Sequence, residues 1–154
     1  MALKTRVRFP PLPPFFMRLY NINGRAQNKS VSKYRINWNE KSRSKLQKKV
    51  KDFLKPYWLA HIVYEEFPVY GTRLKVDILN ATIKVAIEVQ GPQHNAFHKF
   101  FHSNSRAKYL ESIKRDFQKR EWLEKNNFTL IELEGEDIKN LSKKFLKEKF
   151  KLLL

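Results

Sequence analysis

Leu74-Lys75-Val76-Asp77-Ile78-Leu79-Asn80-Ala81-Thr82-Ile83-Lys84-Val85-Ala86-Ile87-Glu88-Val89-Gln90-Gly91-Pro92-Gln93-His94 is the stretch that decides the fold. Two runs rich in β-formers flank Asn80-Ala81, which can turn, and Gly91-Pro92 breaks the pattern. With the β-forming run from His61 to Phe67, this predicts three strands, near 62–67, 73–79 and 83–90, in a meander. Each of the last two strands holds one acid, Asp77 or Glu88. A charge in such a strand is costly unless it is paired or bound to a cation. In an antiparallel hairpin the two carboxylates approach each other, and close acids raise each other's pKa unless a cation joins them. An oxygen site of this kind suits Mg²⁺, which keeps waters and takes one or two carboxylates plus a phosphate. Such a metal activates water and stabilises charge on a phosphodiester. Gln90 follows Glu88 by two and shares its strand face. His94 lies just beyond the strand end. Taken singly, each acid is accounted for by an ion pair with Arg73, Lys75 or Lys84, and His94 by a surface position. The spacing of all four is what points to chemistry.

Outward from this stretch, Ser44-Lys45-Leu46-Gln47 fits a capping box, and Leu46, Val50, Phe53 and Leu54 follow at helical spacing. A helix is predicted over about 43–55, ended by Pro56. Residues 106–126 read as a long helix with Leu110, Ile113, Phe117 and Leu123 on one face. Residues 128–133 form a fourth strand and 138–150 a last helix. The order αβββαβα, with a helix between strands three and four, allows a parallel crossover inside a mixed sheet.

Of 154 residues, 32 are Lys or Arg and 15 are Asp or Glu, giving a net charge of +17. That balance points to a polyanion, most simply DNA or RNA. The chain has no cysteine, which excludes disulfides, thiolate nucleophiles and cysteine zinc sites. No apolar run reaches ~18 residues, so no membrane partner is expected. Residues 1–35 carry eight basic groups and no acid. Four prolines, Pro10, Pro11, Pro13 and Pro14, keep residues 9–15 extended. Residues 1–36 are therefore read as a basic arm outside the core, and residues 37–154 as the folded domain. Arg6, Arg8, Arg18, Arg25, Lys29, Lys33 and Arg35 of the arm, with Lys45, Lys48 and Lys49 of the first helix, are the candidate phosphate contacts. The pair His98 and His102 has metal-like spacing, but no third ligand is evident, and a stacking loop is the preferred reading. Glu132, Glu134, Glu136 and Asp137 read as a solvated turn and helix N-terminus, favoured by the dipole.

The words Val76-Asp77-Ile78-Leu79, Ile87-Glu88-Val89-Gln90-Gly91-Pro92-Gln93-His94 and Lys114-Arg115-Asp116-Phe117-Gln118-Lys119 resemble the PD-(D/E)xK nuclease superfamily. The similarity is to its branch of very-short-patch-repair and phage homing endonucleases, over about residues 40–135. A weaker likeness is to RAP domains, RNA-binding modules with a similar Ile-Glu-Val-x-Gly-Pro-x-His word. The resemblance implies a restriction-endonuclease-like α/β fold, a mixed sheet flanked by helices, with the basic arm as an extension. It implies Asp77 and Glu88 as ligands of Mg²⁺, and Gln90 in the place of the superfamily lysine. It also implies His94 near the scissile phosphate, with Asp116 and Lys119 reaching the site from the helix. The branch tends to carry a Glu on the first helix, where this chain offers Gln47, and Glu40 lies earlier. Two functions are expected from these residues. One is a Mg²⁺-dependent DNA endonuclease of homing type, in a phage or bacterial cytoplasm. The other is a non-catalytic RNA-binding subunit, held by rRNA and other proteins of a large ribonucleoprotein such as a mitochondrial ribosome.

Overall fold

The computed structural model describes residues 15–91 and 106–154. Pro92, Gln93, His94, His98, His102, Arg6 and Arg8 lie outside the described residues. In chain order the elements are strands β1 (Phe16–Tyr20) and β2 (Ala26–Ser30), a 3-10 turn at Ser32–Tyr34, helix α1 (Lys45–Trp58), and strands β3 (Val63–Pro68), β4 (Lys75–Asn80) and β5 (Val85–Val89). Helix α2 (Arg106–Lys125), strand β6 (Thr129–Leu133) and helices α3 (Gly135–Lys139) and α4 (Lys143–Phe150) follow.

The main sheet has the order β3-β4-β5-β6. The first three strands are antiparallel neighbours, and β6 returns parallel to β5 after the α2 crossover. The fold is thus mixed α/β with helices on both faces. Alternation along β5 sorts the core: Val85 and Ile87 face one way, Ala86 the other. On the first face pack Val50, Leu54 and Trp58 of α1, Ile138 of α3 and Leu146 of α4. On the second pack Trp122 and Leu123 of α2, with Leu19 and Val31 from the N-terminal segment. Each fully buried side chain of this size contributes about 1.5–3 kcal/mol of transfer free energy.

Ser44 caps α1, accepting the Gln47 N–H at 3.1 Å. The helix does not stop at Pro56, as sequence predicts, but runs through it to Trp58. Proline removes one late backbone bond, whereas continuing the helix seats the fully buried Trp58 in the core. Three further expectations are corrected. Residues 15–36 are not an arm outside the core. β1 and β2 form an antiparallel hairpin, and Leu19, Val31 and Ile36 are buried. The long-helix face is also different: Leu110, Ile113 and Phe117 are exposed, and Trp122 and Leu123 are the buried residues of α2. Only the C-terminal half of α2 lies on the sheet. Finally, the expected last helix is two helices broken at residues 140–142. Ser142 caps the second, accepting the Phe145 N–H.

Candidate functional site around Asp77 and Glu88

Ile78 pairs with Ile87 in the β4–β5 ladder. One step further along that register stand Asp77 and Glu88. There the backbone ladder gives way to side chains. The Asp77 N–H donates to Glu88 Oε1 at 3.1 Å. The Val89 N–H donates to Asp77 Oδ2 at 2.8 Å. The two acids thus sit between the ends of two core strands, within reach of each other. Glu88 follows Ala86 by two, so it points to the face covered by α2. From that helix Lys119 donates to Glu88 Oε2 at 2.6 Å. Lys119 precedes Trp122 and Leu123 by three and four residues, so the buried end of α2 places it.

The electrostatics follow from this geometry. Glu88 is pushed up to about 7, first by burial and then by the Asp77 charge, with Lys119 opposing. Asp77 is also raised by burial. The Val89 N–H and Lys119 pull it down, while the nearby Glu66 adds to the rise. One lysine therefore serves two carboxylates, Glu88 buried and Asp77 half-buried. No hydrogen bond from the described residues reaches Asp77 Oδ1.

A third acid borders the pair. β3 runs opposite β4, and Glu65 pairs with Ile78 and Phe67 with Val76. Between them Glu66 has φ of 51°, a left-handed conformation that is uncommon for a non-glycine residue and costs on the order of 1–3 kcal/mol. The facing pattern slips by one at this point. Tyr64 and Leu79 face the second cluster, and so do Phe67 and Val76, three residues away in each strand. The register, unchanged on either side, stands Glu66 opposite Asp77. Gln47, almost fully buried, holds this edge, its amide donating to Glu65 Oε1 at 3.1 Å and Glu66 Oε1 at 3.2 Å. Arg43 lies 4.0 Å from Glu66.

Beside it is a second ion pair that sequence reasoning missed. Lys51, fully buried, donates to Glu65 Oε2 at 2.7 Å and to the Glu40 carbonyl at 3.2 Å. Ser42 Oγ donates to Glu65 Oε1 at 2.5 Å. The signal was present in the sequence: Lys51 falls in phase with Gln47, Val50, Leu54 and Trp58 on the buried stripe of α1. Glu65-Glu66 is also an acid pair inside a strand-like run.

The sequence-based candidates divide. Asp77, Glu88 and Lys119 are brought together. Gln90 lies at the end of β5, its N–H donating to the Leu133 carbonyl at 2.8 Å. Asp116 acts on Arg120, whose pKa it helps raise behind the larger effect of Glu132. Of the basic candidates, Arg18, Arg25, Lys33, Lys45 and Lys49 are exposed. Lys29 lies over the Tyr70 ring at 5.0 Å and Lys33 over Tyr34 at 5.1 Å. Lys48 pairs with Asp52 at 2.6 Å. Arg35 does not fit a phosphate-contacting role: it is half-buried, donates to the His61 carbonyl at 2.9 Å, and its Nη1 is enclosed without a partner. In the acidic turn, Glu134 and Asp137 close a capping box on α3, and Asp137 is a buried partner of Lys149. It is not solvated, because α4 folds back over it.

Among the described residues, no group of three or more His, Cys, Asp or Glu side chains is placed to hold a metal ion. A cation here would rest on Asp77 and Glu88 alone, plus water and substrate oxygens. That donor set fits Mg²⁺, which seldom uses an all-protein cage. Two mutually repelling acids, with one carboxylate oxygen that no described residue bonds, are relieved by such an ion.

The chain is similar to uncharacterized protein 033L of Invertebrate iridescent virus 3, with 36% identity over 81 residues. The match covers 53% of this chain and 41% of that protein, so the chain spans about two fifths of its relative's length. No protein-family model matches the chain, and no solved structure does.

Proposed function

We propose that the chain is a nucleic-acid-binding protein with a restriction-endonuclease-like core, and that the Asp77–Glu88–Lys119 cluster hydrolyses phosphodiesters with Mg²⁺, most simply as a DNA endonuclease of homing type. The observation that carries this reading is the meeting of a buried and a half-buried acid on adjacent strands, with a lysine brought in from the crossover helix. The element order, helix, three-strand meander, helix and parallel strand, agrees with such a core. So does the net charge of +17. Asp77 and Glu88 would hold the ion, which when bound supplies an activated water and charge neutralisation. Lys119 brings to the site the cation that Gln90 cannot. Its ammonium is 2.6 Å from Glu88 and becomes available to a phosphate oxygen when that carboxylate turns to another partner.

One observation favours the alternative, a non-catalytic RNA-binding subunit: both Glu88 oxygens already have protein partners. The test is incubation of supercoiled plasmid, and separately of a structured RNA, with purified protein and Mg²⁺. Nicking or linearisation that disappears in Asp77→Asn supports the nuclease reading. Binding without cleavage, unchanged in Asp77→Asn, selects the RNA-binding subunit.

A further inference from the structure

The β1–β2 hairpin presents an unusual outer face. Along β1, Met17 and Leu19 turn inward and Leu19 is buried, while Phe16, Arg18 and Tyr20 point out. Phe16 is 65% exposed and Tyr20 45%. A strand spaces such residues about 7 Å apart on one face. Two rings therefore flank a guanidinium in a single row. Opposite them the register places Ser30 against Phe16 and Asn28 against Arg18, both exposed. No acid occurs from Phe15 to Asn39, so the hairpin itself carries only cationic charge.

The face is also rigidly mounted. The Tyr20 N–H donates to Asn126 Oδ1 at 2.8 Å, and its carbonyl accepts from Trp122 Nε1 at 2.7 Å and Asn126 Nδ2 at 3.1 Å. The Ile22 N–H donates to the Tyr70 carbonyl and the Val31 N–H to that of Phe15. The backbone is thus clamped to the folded body while the rings stay in solvent.

We infer that this face is a stacking platform for unpaired nucleotides. The inference rests on the nucleic-acid reading above and specifies the substrate as single-stranded or locally opened. Bases stack on Phe16 and Tyr20, Arg18 meets the intervening phosphate or a base face, and Asn28 and Ser30 offer sequence-tolerant polar contacts. Charge complementarity selects a polyanion over an apolar partner. Helix α2 links the platform to the acid pair: Asn126 clamps Tyr20, and seven residues earlier, about 10 Å along the axis, Lys119 holds Glu88.

The test is fluorescence anisotropy of labelled oligothymidylate, oligouridylate and a duplex of equal length, with wild type, the double variant Phe16→Ala/Tyr20→Ala and the conservative Phe16→Tyr/Tyr20→Phe. Base–aromatic stacking contributes directly to single-strand affinity and is absent from a closed duplex. The alanine pair should therefore weaken single-strand binding at least about tenfold, leave the duplex unchanged, and be rescued by the conservative pair. Far-UV circular dichroism checks that the variants fold. Unchanged single-strand binding, or equal losses on single strand and duplex, overturns the platform. So does a wild-type dimer in sedimentation that the alanine pair dissociates, which would assign the face to a second copy. Mg²⁺-dependent cleavage by the same preparations bears on the nuclease reading alone, so the two can fail separately.

Discussion

Each face of the sheet carries one lysine–carboxylate pair delivered by a helix, and the two differ in what surrounds them. On the α1 side, Lys51 meets Glu65, and that carboxylate also accepts from Ser42 and Gln47. Lys51 in turn reaches the Glu40 carbonyl. Every charge there has partners. On the α2 side, Lys119 meets Glu88 at nearly the same distance, but a second, half-buried acid, Asp77, shares the lysine. The first pair locks α1 to β3. The second leaves two acids to one lysine and one carboxylate oxygen that accepts no hydrogen bond from the described residues, an arrangement that stability alone does not favour. A lysine–carboxylate contact is thus a poor guide to role. The count of acids per cation separates the two.

Four outcomes would break or sharpen this contrast. The largest concerns activity. Asp77→Asn should lower Mg²⁺-dependent cleavage by about a hundredfold or more, since several kcal/mol of transition-state stabilisation depend on the ion. A loss of the same size in Lys51→Met, at temperatures where the variant is folded, would erase the distinction. Next is stability. Lys51→Met leaves Glu65 uncompensated and should cost on the order of 3–5 kcal/mol, read from urea denaturation; a cost under about 1 kcal/mol would show the pair to be dispensable.

A smaller effect is the pH dependence of stability without divalent ions. Folding raises Glu88 from 4.5 to about 7, so the protonated form is favoured in the native state. Its contribution is complete below pH 4.5 and lost as pH rises through 7. Asp77 acts in the same direction. Glu88→Gln should therefore flatten the decline in stability between about pH 4.5 and 7; an unchanged slope would mean that Glu88 is not raised. The smallest effect is at the exposed Arg120–Glu132 pair, where Arg120→Ala should change stability by no more than about 1 kcal/mol in thermal unfolding.

The meander and the first helix were legible because runs of β-formers and the Ser44 cap are local signals. The same holds for the acid pair, since a charge inside a β-forming run is visible without structure. The hairpin was not legible. β2 reads Ala-Gln-Asn-Lys-Ser, with no β-former, and its partner β1 is held at Tyr20 by Asn126 and Trp122, more than a hundred residues away. The face of α2 was misread because Leu110, Ile113 and Phe117 have helical spacing, yet all three are exposed and the helix buries only Trp122 and Leu123 near its end. Lys51 was passed over because charge outweighed phase in reading the stripe. Lys119 was found only through resemblance, and geometry now gives it a partner.

The central claim is that the surplus acid makes the Glu88 side a cation site. Mn²⁺ binding followed by electron paramagnetic resonance tests it directly, using wild type, Asp77→Asn and Glu65→Gln. The account predicts saturable binding of one ion that is lost in Asp77→Asn and retained in folded Glu65→Gln. Equal binding by wild type and Asp77→Asn would contradict it.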